Sequence, residues 1–163
     1  GNNSENISLC GDSAGAHLAA ALTHYLSNSQ TKIHSQFLIY PMCDPNCNSE
    51  SQKLFNERYF LTQKAMKWFW RHLKSDDKDI EKDTFNLLNI SKKITAYHTF
   101  IITAGFDPLH DEAEKYASIL HNMGNSVKQL HYPSLFHGFA SMTRLRTANN
   151  AVNDFLREYK KIL

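Results

Sequence analysis

The segment Gly11-Asp12-Ser13-Ala14-Gly15 is the feature that most constrains how this chain can fold. It follows a short apolar run at 7–10 and precedes a helical pattern rich in alanine and leucine. A serine between two glycines, in a strand–turn–helix context, is typical of a nucleophile elbow, where the serine occupies a strained turn with its hydroxyl exposed. The segment therefore predicts a strand that ends at a tight turn, with Ser13 as a candidate nucleophile.

Two further residues suit the partners of such a serine, which are a general base and a group that orients the base. Asp107 follows the apolar run 100–105, and His137 lies in a turn-like stretch after another strand candidate. The order Ser13, Asp107, His137 is the one this triad takes on an open α/β sheet. All three residues follow predicted strands, at the sheet edge where such folds place their sites. Each also has a structural alternative: Ser13 and Asp107 suit turns, and His137 is one of nine histidines.

Strands and helices alternate along the chain, which predicts an α/β fold with a parallel sheet. Strands are predicted at 7–10, 37–40, 100–104 and 127–132. Helices are predicted from the spacing of apolar residues at 14–27, 62–73, 111–123 and 141–161. Thr62 and Asp111 are expected as N-caps, Asp111 with Glu114 as its capping-box partner, and Gly124 as a helix stop. We therefore expect one domain over 1–163, with about four parallel strands and flanking helices.

Several side chains receive specific expectations from the same patterns. The first helix is expected to bury the stripe formed by Leu18, Ala19, Leu22, Tyr25 and Leu26. Cys10 is expected to pack as a small buried residue on the first strand. His17, one helical turn after the elbow, is expected to be a packed helix residue rather than a second base.

Composition is that of an ordinary globular protein. The chain has 163 residues, of which 42% are hydrophobic and 21% charged, and this suits one domain with a real core. The net charge is only +2 and the charged residues of both signs are interspersed along the chain, which argues against a nucleic-acid partner. No apolar run approaches the ~20 residues of a membrane-spanning helix, so no span is expected. The three cysteines do not make a disulfide framework and favour a reducing compartment, so we expect a cytoplasmic location.

The sequence indicates neither a metal nor an organic cofactor. Cys43 and Cys47 share a loop, but no second ligand pair at zinc-like spacing accompanies them. The remaining histidines show no pairing that suggests a metal: His24, His34, His72, His98, His110, His121 and His131.

Four motifs together resemble one branch of the α/β-hydrolases. They are Gly11-Asp12-Ser13-Ala14-Gly15-Ala16, Leu38-Ile39-Tyr40-Pro41, Asp107-Pro108-Leu109-His110-Asp111-Glu112 and His137-Gly138-Phe139. The set is spread over nearly the whole chain and resembles the hormone-sensitive-lipase-like esterases and lipases. Ala16 departs from the pattern, because that family usually carries a second glycine there.

The resemblance implies hydrolysis of small acyl esters by Ser13, His137 and Asp107. It also implies that the Ala14 amide is one oxyanion donor and that Gly11, Asp12 and Gly15 shape the elbow. The region 48–89 is implied to be an excursion near the mouth of the site. Thioesterase, amidase and acyltransferase roles use the same triad, and these alternatives stay open. Neither a cofactor nor a metal is implied.

The family's other oxyanion donors come from a His-Gly-Gly loop upstream of the elbow, and only ten residues precede Gly11 here. The chain thus resembles the C-terminal half of such an enzyme, and we expect a fragment, a natural truncation or a separately encoded half. Because losing one oxyanion donor lowers turnover by about 10²–10³-fold, the isolated chain is expected to be weakly active or inactive. The alternative function is a non-catalytic half-domain, joined to another copy or a separate N-terminal half through the exposed strand 7–10.

Overall fold

The computed structural model describes residues 7–162. Its sheet has four strands in the order β1-β2-β3-β4, and every neighbouring pair is parallel. The strands are β1 (Ile7–Asp12), β2 (Ile33–Ile39), β3 (His98–Phe106) and β4 (Ser126–Phe136). The helices are α1 (Ala14–Leu26), α2 (Glu50–Leu54), α3 (Gln63–Leu73), α4 (His110–Asn122) and α5 (Arg146–Lys160). The predicted α/β class, with parallel strands and flanking helices, is confirmed.

Helices cover both faces of the sheet. On one face, Leu38 and Ile101 pack with residues of α1 and α4. On the other, Phe37 and Phe100 pack with Phe155 of α5. Successive strand residues point to opposite faces, so the continuous apolar runs of β2 and β3 are those of strands buried on both sides. None of the helices within residues 7–162 combines the length and hydrophobicity needed to cross a bilayer.

The long connection between β2 and β3 contains more regular structure than expected. Ser49 caps α2 by accepting from the Gln52 amide, and Thr62 caps α3, as predicted, by accepting from the Ala65 amide. A 3-10 helix at Asp77–Glu81, for which no element was predicted, lies farther along the connection. Unlike α3, both α2 and this 3-10 helix are too short to leave a clear periodic pattern in the sequence. The connection packs on its own small core of Met42, Cys47, Leu61, Met66, Trp70, Phe85 and Leu109.

The predicted buried stripe of α1 is wrong for Leu18, Leu22 and Tyr25, whereas Ala19 is buried and Leu26 packs against the core. Leu18, Leu22 and Tyr25 are 59%, 42% and 71% exposed, whereas the sheet-facing side of the helix is lined by Ala16 and Ala20. The prediction placed the largest apolar residues inside, but a helix that lies close to its sheet needs small side chains at the contact.

The predicted burial of Cys10 is also wrong. Most residues of β1 are exposed, and so is the Cys10 thiol. Within residues 7–162, β1 is an edge strand and pairs on one side only, with β2. Cys10 lies beside Phe37 in the register, on the sheet face that α5 covers farther along toward β4.

Two helix starts differ from the prediction. α4 begins at His110, and Leu109 is an N-cap without a side-chain bond. Asp111 instead accepts a 2.7 Å hydrogen bond from the Ser51 amide, so it joins α4 to α2 and does not cap its own helix. α5 begins at Arg146, after a 3-10 helix at Phe139–Ser141. The predicted stop of α4 is confirmed, because Gly124 has a φ of 80°, a backbone conformation that glycine adopts without strain.

Candidate active site

Ser13 lies in a strained turn between β1 and α1. Its φ of 52° and ψ of −118° are a rare combination for a residue with a side chain. Its amide donates a 2.9 Å hydrogen bond to the Ile39 carbonyl at the end of β2, which holds the turn against the sheet. The hydroxyl therefore projects at the carboxyl ends of the strands, in the geometry that the glycine–serine–glycine segment predicts.

Gly11 allows this turn because the chain passes very close to itself there. A Cβ at position 11 would lie 2.2 Å from the Gly15 carbonyl carbon and 2.6 Å from the Ala16 nitrogen. Both contacts are with backbone of α1, which a rotamer change cannot relieve. Gly15 differs, since a Cβ there would meet only Asp12 Oδ1, at 3.9 Å. The two glycines of the motif therefore have different physical reasons to be present.

Gly11→Ala is expected to destabilise the protein by about 3 kcal/mol or more, because α1 must move away from β1 to admit the methyl group. Gly15→Ala is the matched control and is expected to stay within about 1 kcal/mol of the wild type, with a slight gain from helix propensity. Chemical denaturation followed by circular dichroism measures both. Equal stability of the two variants would contradict the close approach at Gly11.

The structure brings Ser13, His137 and Asp107 together. His137 Nε2 lies 2.9 Å from Ser13 Oγ, and His137 Nδ1 lies 2.8 Å from Asp107 Oδ2. An ionised carboxylate only accepts hydrogen bonds, so Nδ1 carries the proton and Nε2 is left to accept from the serine hydroxyl. Asp107 Oδ1 accepts from the Leu109 amide at 2.8 Å, which fixes the carboxylate plane. Both Asp107 and His137 are buried, so water competes little for these bonds.

Tyr40 supports this arrangement, and sequence analysis did not single it out. Its ring packs on the His137 imidazole, with 4.5 Å between ring centres. Its hydroxyl donates to Asp12 Oδ2 at 3.3 Å, so Asp12 contacts the site through a hydrogen bond. Burial and the Asp12 carboxylate raise the pKa of Tyr40, which therefore stays a donor. Tyr40 also has a φ of 39°, so the chain turns sharply directly after β2.

Ala14 offers a backbone donor beside the Ser13 hydroxyl. It is the first residue of α1, and the first amides of a helix have no acceptor within the helix. The positive end of the helix dipole lies at the same place, which favours a negative oxygen there. The Ala14 amide is thus suited to receive an oxyanion formed next to Ser13.

Aromatic side chains lie next to the His137 loop. Gly138 has a φ of 83°, and a Cβ there would lie 3.2 Å from Phe60 Cε1. The Phe60 ring is 6.4 Å from that of Phe136. Phe60 belongs to the connection between β2 and β3, so this connection reaches the site. Trp68 is half exposed on α3 and packs on His72, with 4.0 Å between ring centres.

His17 is a packed helix residue, as expected. It is buried, Nδ1 donates to the Met42 carbonyl at 3.0 Å, and the ring meets Trp70 edge-on. Burial lowers the pKa of His17 to about 4. The His17 imidazole of the unfolded chain therefore takes up a proton near pH 6.5, whereas in the folded chain it stays neutral at that pH.

This difference predicts a loss of stability in acid. Because the pKa of His17 is depressed on folding, its contribution is complete above about pH 6.5 and is lost as the pH falls towards 4. At about 1.4 kcal/mol per pH unit, the wild type should lose about 3 kcal/mol more than His17→Gln over this window. Urea denaturation of both proteins from pH 7 to pH 4 measures the difference. Parallel curves would contradict the neutral, buried state of His17.

Glu112 anchors the start of α4. It is buried, and its Oε1 accepts from the amides of Cys43 and Asp44 at 2.8 and 3.3 Å. Burial outweighs these bonds and raises the pKa of Glu112 to about 8. Gln52 Nε2 donates to the other carboxyl oxygen, Oε2, at 3.2 Å.

The thiols at Cys43 and Cys47 are poor metal ligands. Both are buried, and burial with the nearby acids raises the pKa of Cys43 well above its ordinary value and that of Cys47 to about 12. A thiol binds metal as the thiolate, so these two groups remain protonated packing residues.

The fold and this geometry agree with a comparison against known families. A family model described as alpha/beta hydrolase fold matches residues 1–141. This chain belongs to the α/β-hydrolases. The resemblance to the hormone-sensitive-lipase-like branch is thereby confirmed, and the relatives of this α/β-hydrolase include proteins described as ester hydrolases.

Three relatives illustrate the similarity. Carboxylic ester hydrolase LipN of Mycobacterium tuberculosis is 31% identical over 146 residues, which cover 85% of this chain and 39% of that protein. Ethyl acetate hydrolase of Pseudomonas putida is 28% identical over 145 residues, covering 87% of this chain and 45% of that protein. The structure of a thermostable esterase from Pseudomonas putida ECU1011 superimposes with a TM-score of 0.83 at 28% identity, over 88% of this chain and 47% of that one. The hydrolase chain thus spans less than half the length of these relatives.

Proposed function

We propose that this chain carries the catalytic residues of a serine carboxylic-ester hydrolase, with Ser13 as nucleophile, His137 as general base and Asp107 as its orienting acid. The observation that carries the proposal is the continuous line of hydrogen bonds from Ser13 Oγ through both ring nitrogens of His137 to Asp107 Oδ2. Relatives described as ester hydrolases support the reaction class.

In the proposed reaction, Ser13 Oγ attacks the ester carbonyl carbon while His137 Nε2 takes the hydroxyl proton. The carbonyl oxygen becomes an oxyanion, and the Ala14 amide donates to it. The bond to the leaving alcohol then breaks, and His137 returns its proton to that oxygen. Water repeats the sequence on the acyl-serine, which releases the carboxylic acid and restores the Ser13 hydroxyl. Asp107 keeps the Nδ1 proton in place and stabilises the imidazolium formed in each half-reaction.

Stabilisation of the oxyanion is the step for which these residues alone supply too few hydrogen-bond donors. In the family that the chain resembles, further donors come from a His-Gly-Gly loop, and the 163 residues contain no such triplet. A single lost donor lowers turnover by about 10²–10³-fold in a well-studied protease. We therefore expect the 163-residue chain to hydrolyse activated esters slowly.

Small acyl esters are the proposed substrates. Phe60 and Phe136 offer apolar surface beside the His137 loop. In this proposal the region 48–89 forms part of the mouth of the site, since Phe60 belongs to it. Thioesters and amides remain candidates because the same triad serves them.

A matched substrate set tests the reaction class. The purified chain is given p-nitrophenyl acetate, the corresponding thioester and the corresponding anilide, each against the uncatalysed rate in buffer. We expect turnover above background for the ester, and a smaller acceleration or none for the anilide. The proposal would be overturned by a folded chain that shows no turnover of the ester above background and does not react with a fluorophosphonate at Ser13.

A second proposal is that the chain acts by association through β1 and the adjoining side of α1. Most of β1 is exposed, and Leu18, Leu22 and Tyr25 form an exposed apolar row on α1. An open strand edge beside apolar surface favours pairing with another polypeptide. We propose another copy of this chain or a separately encoded N-terminal half as the partner.

Sedimentation of the purified chain tests this second proposal. Self-association that Leu22→Lys weakens would support pairing between copies, with Leu156→Lys on α5 as a matched exposed control. A monomer that gains esterase activity when an N-terminal half is added would support the other partner. A monodisperse monomer without such a gain contradicts association.

A further inference from the structure

We propose that His110, Glu114 and His131 form a binding site for a zinc ion, on the sheet face covered by α4. One potential ligand atom from each of these residues lies within 4.8 Å of the other two. Two imidazoles and one carboxylate are a donor set that zinc favours, with a fourth position left for water. This proposal is independent of the hydrolase reaction, because none of the three residues belongs to the Ser13–His137–Asp107 line.

The fold creates this cluster from distant parts of the sequence. His110 and Glu114 lie one turn apart on α4, so their side chains share a helix face. His131 lies on β4 and pairs in register with Thr103 of β3, with its ring centre 4.8 Å from that of His110. Sequence spacing alone could not reveal the group, since only the packing of α4 on the sheet adds His131.

Each histidine has one nitrogen engaged in a way that leaves the other for a metal. His131 Nδ1 lies 2.9 Å from Thr103 Oγ1, so its Nε2 is the remaining ligand atom. His110 Nδ1 lies 3.1 Å from Asp111 Oδ1, which leaves its own Nε2. Zinc-bound histidines commonly make such a bond through the second ring nitrogen, to a carboxylate or another oxygen, which fixes the ring and the tautomer.

The position of His110 Nε2 indicates that an ordinary ion pair with Glu114 does not explain why these three side chains lie together. It lies 3.1 Å from Glu114 Oε1, yet it is buried and has no partner with hydrogen-bond geometry within residues 7–162. A nitrogen and an oxygen that are close but not aimed at each other are expected when both face a third atom. Around a tetrahedral zinc, with bonds of about 2.0–2.2 Å, neighbouring ligand atoms stand about 3.3 Å apart.

The site is also reachable. Glu114 and His131 are exposed, and His110 and Asp111 line a cleft of about 550 Å³ that also borders α2. The lining of this cleft includes neither Ser13 nor His137. A zinc ion here would join the first turn of α4 to β4.

Calorimetric titration of metal-free chain with zinc chloride tests the proposal. All proteins carry Cys10→Ser, because the exposed Cys10 thiol would itself bind zinc. We expect one zinc per chain, with affinity lowered by at least about 100-fold in His131→Gln and in Glu114→Gln, and by about 10-fold in Thr103→Val. His121→Gln, an exposed histidine at the far end of α4, is the control and should bind as the parent does.

Cobalt absorption gives a second readout, because a four-coordinate cobalt ion with nitrogen ligands has strong visible bands that zinc displaces. Circular dichroism confirms that each variant is folded. The proposal is overturned if the folded parent binds no zinc, if binding survives unchanged in either His131→Gln or Glu114→Gln, or if His121→Gln loses it.

Discussion

Ser13→Ala is expected to reduce ester hydrolysis by this chain to the uncatalysed rate. The hydroxyl lies 2.9 Å from His137 Nε2, where it can receive the acyl group. Removing the serine of a complete triad lowers kcat by about 10⁶-fold in a well-studied protease. The loss measured here should equal the whole acceleration that the chain provides.

The test compares wild type, Ser13→Ala and Ser134→Ala on p-nitrophenyl acetate. Ser134 is an exposed serine on β4, so its replacement is the matched control and should leave the rate unchanged. Mass spectrometry after fluorophosphonate treatment should locate one adduct, on the peptide that contains Ser13. Hydrolysis that persists at the wild-type rate in Ser13→Ala would show that another group carries the activity.

Asp107→Asn is expected to remove most of the acceleration that this chain provides while the fold is retained, because the same change lowers kcat by about 10⁴-fold in a serine protease. Asp107 Oδ1 accepts from the Leu109 amide, so an asparagine would keep its oxygen there and turn its NH₂ group towards His137 Nδ1. Nδ1 would then have to accept, which places the ring proton on Nε2. An imidazole with Nε2–H cannot take the Ser13 proton.

The control for this variant is Asp77→Asn, because Asp77 is an exposed aspartate that is well separated in sequence from the three residues of the site. Thermal unfolding of both variants checks that Asp107→Asn is folded. A rate within 10-fold of the wild type in folded Asp107→Asn would contradict the assigned tautomer.

Much of the fold was predictable because its signals are local. The apolar runs of β2 and β3 and the N-cap of α3 at Thr62 each depend on a few neighbouring residues. The exposed face of α1 and the start of α4 depend on contacts with distant elements. Asp111 appears to local rules as a helix cap, but the amide of Ser51 in α2 takes its carboxylate.

The same division applies to the site. Ser13, Asp107 and His137 were predicted from motif, chain order and position after strands, and the structure brings the three together. The contacts that Tyr40 and Glu112 make in the structure were not predicted from the sequence. Glu112 stands four residues before Tyr116, so helical spacing already placed it on the buried face, although its partners Cys43 and Asp44 lie in another part of the chain.

The central claim is that His137 joins Ser13 and Asp107 in one hydrogen-bonded line. Proton NMR of the chain with its histidines labelled with nitrogen-15 tests this claim without requiring turnover. We expect a strongly deshielded proton on His137 Nδ1, absent in His137→Gln and moved or lost in Asp107→Asn. A folded wild-type chain in which His137 carries its proton on Nε2, with no deshielded Nδ1 signal, would contradict it.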